Sequence, residues 1–226
     1  MGQRRKRRAG RGLFFTLEGP EGSGKSTQIL LLASELRKAG YIVVCTREPG
    51  GTRMAEAIRN TLLSATSKET ITPEAEALLV LAARSQHVVH KIQPALARGS
   101  IVLCDRFADS TFAYQGFGRR LSLSWLASAN RAATRGLTPH LTLLLDIPVS
   151  IGLARRRRAH GHQNRLDRET AKFHQRVRRG FLVLASRTPR RIKVVNANRP
   201  VEIVRAEIAT LVLGWLRTRE RRSGAR

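Results

Sequence analysis

Four residues near the amino terminus carry the strongest chemical signal in the chain. Gly19, Gly24, Lys25 and Ser26, within GPEGSGKST, satisfy the spacing G-x-x-x-x-G-K-[ST] and follow an apolar run directly. Glycines at these places let backbone N–H groups wrap phosphate oxygens at the start of a helix, whose dipole favours the same charge. In such a loop Lys25 reaches the phosphate that is transferred, and the Ser26 hydroxyl can take a magnesium site. Pro20, Glu21, Gly22, Ser23 and Thr27 complete the expected nucleotide-holding loop. A second run, SIVLCD, ends on Asp105, whose carboxylate can hold magnesium directly or through water. Alone that signal is weak, because many strands end in Asp. Together the two motifs indicate a nucleotide-dependent phosphotransferase or hydrolase and leave the acceptor open.

Such a loop needs a strand before it and a helix after it, and the sequence supplies both. Short apolar runs bounded by turn signals fall at Leu13–Leu17, Tyr41–Thr46, Ser100–Cys104, Leu141–Asp146 and Arg191–Val195, each reading as a buried strand. Helical spacing fills the intervals at Lys25–Ala39, Met54–Leu63, Pro73–Arg98, Ser122–Thr134, Val149–Arg158, Asp167–Ser186 and Val201–Arg217. Strands alternating with helices imply right-handed βαβ units and an α/β fold with a five-stranded parallel sheet flanked by helices. The stretches Ser64–Thr72 and His160–Asn164 read as surface loops. There is no internal repeat and no Pro/Ser/Gly-rich linker.

The 226 residues suffice for one substantial core. Lys and Arg number 42 against 16 Asp and Glu, a net charge of +26. That charge is clustered: residues 1–12 hold six basic and no acidic groups, residues 155–191 thirteen basic and two acidic, and residues 217–226 five basic and one acidic. The expected division is a basic tail at 1–12, one domain at 13–216 and a second basic tail at 217–226. Only seven basic residues are lysine, so the arginine excess of the tails reads as genomic base composition, and functional arginines have to be argued one by one. Cys45 and Cys104 sit in apolar runs without ligand spacing, as buried hydrophobes of a reducing compartment do. No apolar run approaches the roughly 20 residues of a membrane-spanning helix, and a cytoplasmic location is expected. His160 and His162 lack the further Cys or His partners of a zinc site.

The sequence resembles the thymidylate kinase family from about Leu13 to Trp215. Four motifs in order carry the resemblance: GPEGSGKST, TREPGGT at 46–52, AAR-x-QH at 82–87 and DR-x-x-x-S-T-x-A-Y-Q-G at 105–116. LDIP at 145–148, the arginine-rich stretch, LDRE at 166–169 and FHQRVRRGF at 173–181 extend it. The resemblance implies a P-loop kinase fold with a lid at about 155–168, ATP and magnesium as cofactors, and transfer of the γ-phosphoryl group to dTMP. A homodimer is implied, with no specific nucleic-acid partner and no membrane. The acceptor oxygen is already anionic, so catalysis reduces to aligning two repelling phosphates and neutralising the charge between them.

By the same resemblance Arg106 grips the acceptor's phosphate, Glu21 lies near the sugar 3′-hydroxyl, Arg84 hydrogen-bonds the base, and Thr111 sits at the base edge. Tyr114 fills the space of a ribose 2′-hydroxyl, and Arg47 and Glu48 line the acceptor pocket. The phosphate loop holds no arginine, which places the catalytic arginine in the lid as in the bacterial-type class: Arg158 or Arg165, with Arg155 stacking near adenine and Asp167 positioning the lid or acceptor. One departure is Val80, four residues before Arg84, where the family commonly places a phenylalanine that stacks on thymine. Phe107 or Phe112 are the candidate replacements. A deoxynucleoside kinase with Glu21 as base is the first rival, disfavoured by TREPGGT and the DR-to-YQG segment. The second is a nucleic-acid-binding protein served by the basic tails, disfavoured by scarce aromatics and the lack of a nucleic-acid motif.

Overall fold

The computed structural model describes residues 12–64, 70–159 and 164–224. Five strands, β1 (Leu13–Glu18), β2 (Val43–Arg47), β3 (Ile101–Asp105), β4 (Leu141–Asp146) and β5 (Ile192–Asn196), form one parallel sheet in the order β2-β3-β1-β4-β5. Every residue of β1 is buried, as a central strand covered on both faces must be. One face packs its apolar side chains with helices α1 (Lys25–Lys38) and α9 (Val201–Gly224) around Phe15, Leu17, Leu143 and Ile208. The register aligns Leu17, Arg47 and Asp105 across β1, β2 and β3. The chemistry-bearing residues therefore leave the sheet together at its carboxyl edge, where ligands of open α/β sheets bind.

Helix α2 (Arg53–Leu63) starts at Thr52, which accepts from Ala55 N, and α3 (Pro73–His87) starts at Thr72, which accepts from Ala75 N, with Pro73 at its first position. The expected single helix 73–98 keeps its path but not its winding. After α3 a π-helical stretch, Val88–Ile92, leads into α4 (Gln93–Ala97). Pro94 has no N–H and its ring would clash with the carbonyl four residues back, and the wider winding is placed to relieve that conflict.

Three elements differ from the sequence reading. Residues 108–118, read as a motif without a helix, form α5 (Ala108–Thr111) and a second π-helical stretch, Phe112–Gly118. Helix α8 (Ala171–Arg187) begins at a Thr170 cap rather than at Asp167, which lies in the turn before it. Helix α9 does not stop at Arg217 but runs to Gly224, so residues 217–224 continue it. The remaining helices, α6 (Leu123–Thr134) and α7 (Val149–Ala159), lie close to expectation. Residues 1–11, 65–69, 160–163 and 225–226 lie outside the described residues, and with them the expected basic tail at 1–12 in nearly all its length, His160 and His162. No helix among the described residues is long and apolar enough to cross a membrane.

Helix α8 packs on the second π-helical stretch with almost no slack. A Cβ added at Gly180 would stand 2.8 Å from Cβ of Phe117, an atom that no rotamer change can move. Overpacking of this kind costs about 1–3 kcal/mol. Gly180→Ala should lower the unfolding free energy by that amount in urea titration, and unchanged stability would show that the two elements are free to move apart.

Candidate active site

The phosphate loop is built on glycine backbone geometry. Gly22 and Gly24 have φ of 69° and 85°, a region that other residues rarely enter. At Gly22 there is also no room: an added Cβ would lie 1.9 Å from the carbonyl oxygen of Gly152 in α7. Lys25 is buried, and its ammonium group donates to Gly19 O at 3.0 Å, Pro20 O at 2.8 Å and Ser23 Oγ at 3.2 Å. All three of its protons thus bridge the loop that it serves. Burial and the nearby Arg106 cation lower its pKa to about 8, against the opposing pull of Glu21, Asp105 and Glu18. Ser26 Oγ donates to Asp105 Oδ2 at 2.7 Å, which joins the start of α1 to the end of β3.

Arg106 follows Asp105 with φ of 69°, a left-handed conformation that costs a non-glycine residue on the order of 1–3 kcal/mol. The strain turns its side chain back over the phosphate loop. Its guanidinium donates to Gly19 O at 3.1 Å, Ser110 Oγ at 3.3 Å and Glu21 Oε1 at 2.7 Å, and lies 4.9 Å from the centre of the Tyr114 ring. Tyr114 Oη donates to the same Glu21 oxygen at 2.9 Å. Burial works to raise the Glu21 pKa, but Arg106, Lys25, the Tyr114 hydrogen bond and Arg156 together hold it at about 2. Glu18, at the end of β1, supports this arrangement from below. Its carboxylate accepts from Phe107 N at 2.7 Å and from Ser110 Oγ at 2.6 Å, and burial together with Asp109 pushes its pKa up to about 8.

The far wall is a buried polar network around Arg84, which is 1% exposed. Its guanidinium donates to Glu48 Oε2 at 2.7 Å, Thr111 Oγ1 at 2.8 Å, Asn130 Oδ1 at 2.8 Å and Phe107 O at 2.9 Å, which occupies four of its five N–H groups. The other Glu48 oxygen pairs with His87 Nδ1 at 2.9 Å. Glu48 therefore braces Arg84 and His87, one with each oxygen. Arg47, half exposed, pairs with Glu56 at 2.9 Å, and Glu56 also accepts from Gly51 N. Arg59, on α2, donates to Pro49 O at 2.9 Å.

One cavity of about 970 Å³ joins these parts. Of the residues expected from the sequence, Glu21, Gly22, Gly24, Lys25, Ser26, Thr27, Arg47, Glu48, Arg84, Asp105, Arg106, Thr111, Tyr114, Arg155 and Arg165 line it. Val80 lines it too, whereas neither Phe107 nor Phe112 does. Phe107 is fully buried under Arg84, against Phe14, so it offers no ring to the cavity. Among the lid arginines, Arg158 is exposed and is not among the lining residues, while Arg165 spends its guanidinium on Glu76 and on Leu62 O. Arg155 donates to Ala197 O, and Asn198 and Pro200 line the cavity with it. Asp167 does not line the cavity; it accepts from Arg156, which does. Sequence reasoning left Arg59, Glu76, Gln115 and Arg156 without roles. Gln115 and His87 were inside quoted motifs, whereas nothing local marked Arg59, Glu76 or Asn130.

The thymidylate kinase family model matches residues 17–208. The chain belongs to the thymidylate kinase family. A thymidylate kinase of Thermomicrobium roseum is 55% identical over 191 residues, 84% of this chain and 90% of that protein. One from Pseudomonas putida is 49% identical over 203 residues, 90% and 96% of the two chains. The crystal structure of thymidylate kinase from Ehrlichia chaffeensis superposes with a TM-score of 0.72 at 33% identity, covering 89% of this chain and 98% of that one. Within the thymidylate kinase fold the Lys25 environment has a pH signature. Its depressed pKa means that the cation is lost as pH rises through about 8, and with it the positive charge that a lysine in such a loop offers to phosphate. Accordingly kcat/KM for ATP should be level below about pH 7, fall to about half near pH 8 and keep falling above it; a profile flat to pH 9.5 would contradict the buried environment of Lys25.

Proposed function

We propose that this one cavity holds the two phosphate groups of a thymidylate kinase reaction, ATP at the glycine loop and dTMP against Arg106. The reaction transfers the γ-phosphoryl group of ATP to dTMP, giving ADP and dTDP. The observation that carries the assignment of roles is Arg106. A strained backbone position aims a guanidinium, held by Gly19, Ser110, Glu21 and the Tyr114 ring, into the cavity that the phosphate loop and Arg84 also line. A planar fork suits a phosphate, and Arg59 and Arg47 line the same side of the cavity.

Loop amides and Lys25 hold the β- and γ-phosphates of ATP, and Arg155 borders the adenine end with Asn198 and Pro200. Ser26 and Asp105, two hard oxygen donors 2.7 Å apart, fit a magnesium ion, which when bound supplies positive charge to the phosphate oxygens. Glu21 and Tyr114 face the sugar, and Thr111, Gln115 and the remaining N–H of Arg84 face the base. Arg156 takes the lid role that the sequence left between Arg158 and Arg165. It lines the cavity, it contributes to the field at Glu21, and Asp167 fixes its fork through contacts of 2.9–3.1 Å. No general base is required, because the attacking oxygen already carries charge. Exclusion of water and neutralisation by cations do the remaining work.

The homodimer that the resemblance implies is assigned to the α3–α6 face, where Leu78 is 55% and Trp125 39% exposed. The free thiols of Cys45 and Cys104 suit a reducing cytoplasm.

Arg106→Ala should raise the KM for dTMP by about 10–100-fold, the worth of charge-assisted hydrogen bonds, with a much smaller change in the KM for ATP. Steady-state kinetics with each substrate varied checks this, and an unchanged dTMP response would remove Arg106 from the acceptor site. Because no phenylalanine lines the cavity, Val80→Phe should tighten dTMP binding in calorimetry, by about 1–3 kcal/mol if a full stack forms. Weaker or equal binding would show that the space at Val80 is already filled.

A further inference from the structure

Glu76, on α3, is 1% exposed and yet lines the cavity, and four groups converge on its carboxylate. Oε1 accepts from Gln115 Nε2 at 2.8 Å and Arg119 Nε at 3.2 Å; Oε2 accepts from Arg119 Nη2 at 2.9 Å and Arg165 Nη2 at 2.5 Å. Burial works to raise its pKa, but Arg119, Gln115 and Arg165 outweigh that, so the group stays ionised. Arg119 in turn pairs with Glu169 at 2.5 Å. Arg165 donates from Nε to Leu62 O at 3.1 Å. One carboxylate thereby fastens the second π-helical stretch, the end of α2 and the turn 164–169 to α3.

Two consequences follow from the chemistry of an acceptor with no proton to give. An ionised carboxylate accepts only, so it fixes which way the Gln115 amide faces: nitrogen toward Glu76, carbonyl oxygen away from it. Gln115 then meets a ligand in the cavity with an acceptor. Such a group complements the N3–H of thymine or uracil and opposes cytosine, whose N3 is itself an acceptor. The second consequence lies in Arg165. Its anchoring places Leu166 and Asp167, and Asp167 holds Arg156 at the cavity wall.

We propose that Glu76 is a positioning residue: it sets the Gln115 amide so that the site selects an imide N–H on the base, and it fixes the Arg165–Asp167 turn that places Arg156. The proposal rests on the dTMP reading above and deepens it. It separates two effects that a mere packing role would not move together, the choice of base and the acceptor dependence of ATP turnover.

The test is Glu76→Gln in the full chain, which keeps the shape and removes the charge. Folding is checked by circular dichroism and melting temperature. Expected are a rise of about tenfold or more in the KM for dTMP, a smaller preference for dTMP over dCMP, and more ADP release without acceptor relative to the coupled rate. A folded Glu76→Gln protein with unchanged dTMP KM and unchanged base preference overturns the proposal. If Glu76→Gln does not fold, Arg165→Met tests the second arm at a partly exposed position. It should raise acceptor-independent ADP release while leaving base preference intact, and no rise overturns that arm. Gln115→Glu tests the first arm: two like carboxylates face each other, and dTMP preference should collapse; retained preference overturns it. Failure of the wild-type protein to phosphorylate dTMP would sink the functional reading itself, which none of these variants can mimic.

Discussion

The structure depends on keeping a cluster of positive charges in a half-enclosed pocket before any phosphate arrives. Lys25, Arg106, Arg59 and Arg156 border one cavity, and like charges repel more strongly there than in open water. Glu21 is what makes the cluster tolerable. It takes Arg106 at 2.7 Å, accepts from Tyr114 and feels Lys25 and Arg156, while Asp105 takes up the next position along the sheet edge. Lys25 keeps a lowered pKa, first through burial and then through Arg106, although Glu21, Asp105 and Glu18 pull the other way. Two phosphates entering such a site bring the charge that it lacks.

The fold serves that electrostatic task through backbone placement. Parallel pairing in register carries Leu17, Arg47 and Asp105 to one edge, and the residue after Asp105 turns left-handed to aim Arg106 at the loop after β1. Glu18 secures the turn by accepting from the backbone of Phe107 and the hydroxyl of Ser110. A second layer of buried pairs, Glu48 with Arg84 and His87, and Glu76 with Arg119 and Arg165, keeps the acceptor wall rigid. Breaking such pairs one partner at a time leaves a buried charge uncompensated, the costly case.

Much of this was legible in the sequence. The strands announce themselves as short apolar runs because both faces of the sheet are covered, and the glycine loop because its φ angles admit little else. Residues 108–118 were not legible as helix: FAYQGFG has no 3.6-residue period, and its two glycines argue against one. The segment is helical because Glu18 satisfies amides at its start and α8 closes over it. Site roles were less legible than site membership. Arg84, Glu48 and Arg165 are in the cavity wall as expected, but most of their donors and acceptors are spent on protein partners: Arg84 on Glu48, Thr111, Asn130 and Phe107, Glu48 on Arg84 and His87, and Arg165 on Glu76 and Leu62. Arg156 and Arg158 are indistinguishable in a run of four arginines. Only the helical phase of α7 and the turn bearing Asp167 separate them.

The central claim is that one cationic cavity binds two phosphate-bearing ligands and passes a phosphoryl group between them. The most direct measurement is ADP release from ATP and magnesium against thymidine, deoxyuridine, uridine, cytidine, adenosine and guanosine monophosphates and free thymidine. The account predicts turnover that depends on an acceptor and is fastest with dTMP, with free thymidine inert because it brings no phosphate for Arg106. Turnover of free thymidine in preference to its monophosphate, or ADP release from folded protein that ignores every acceptor, would contradict it.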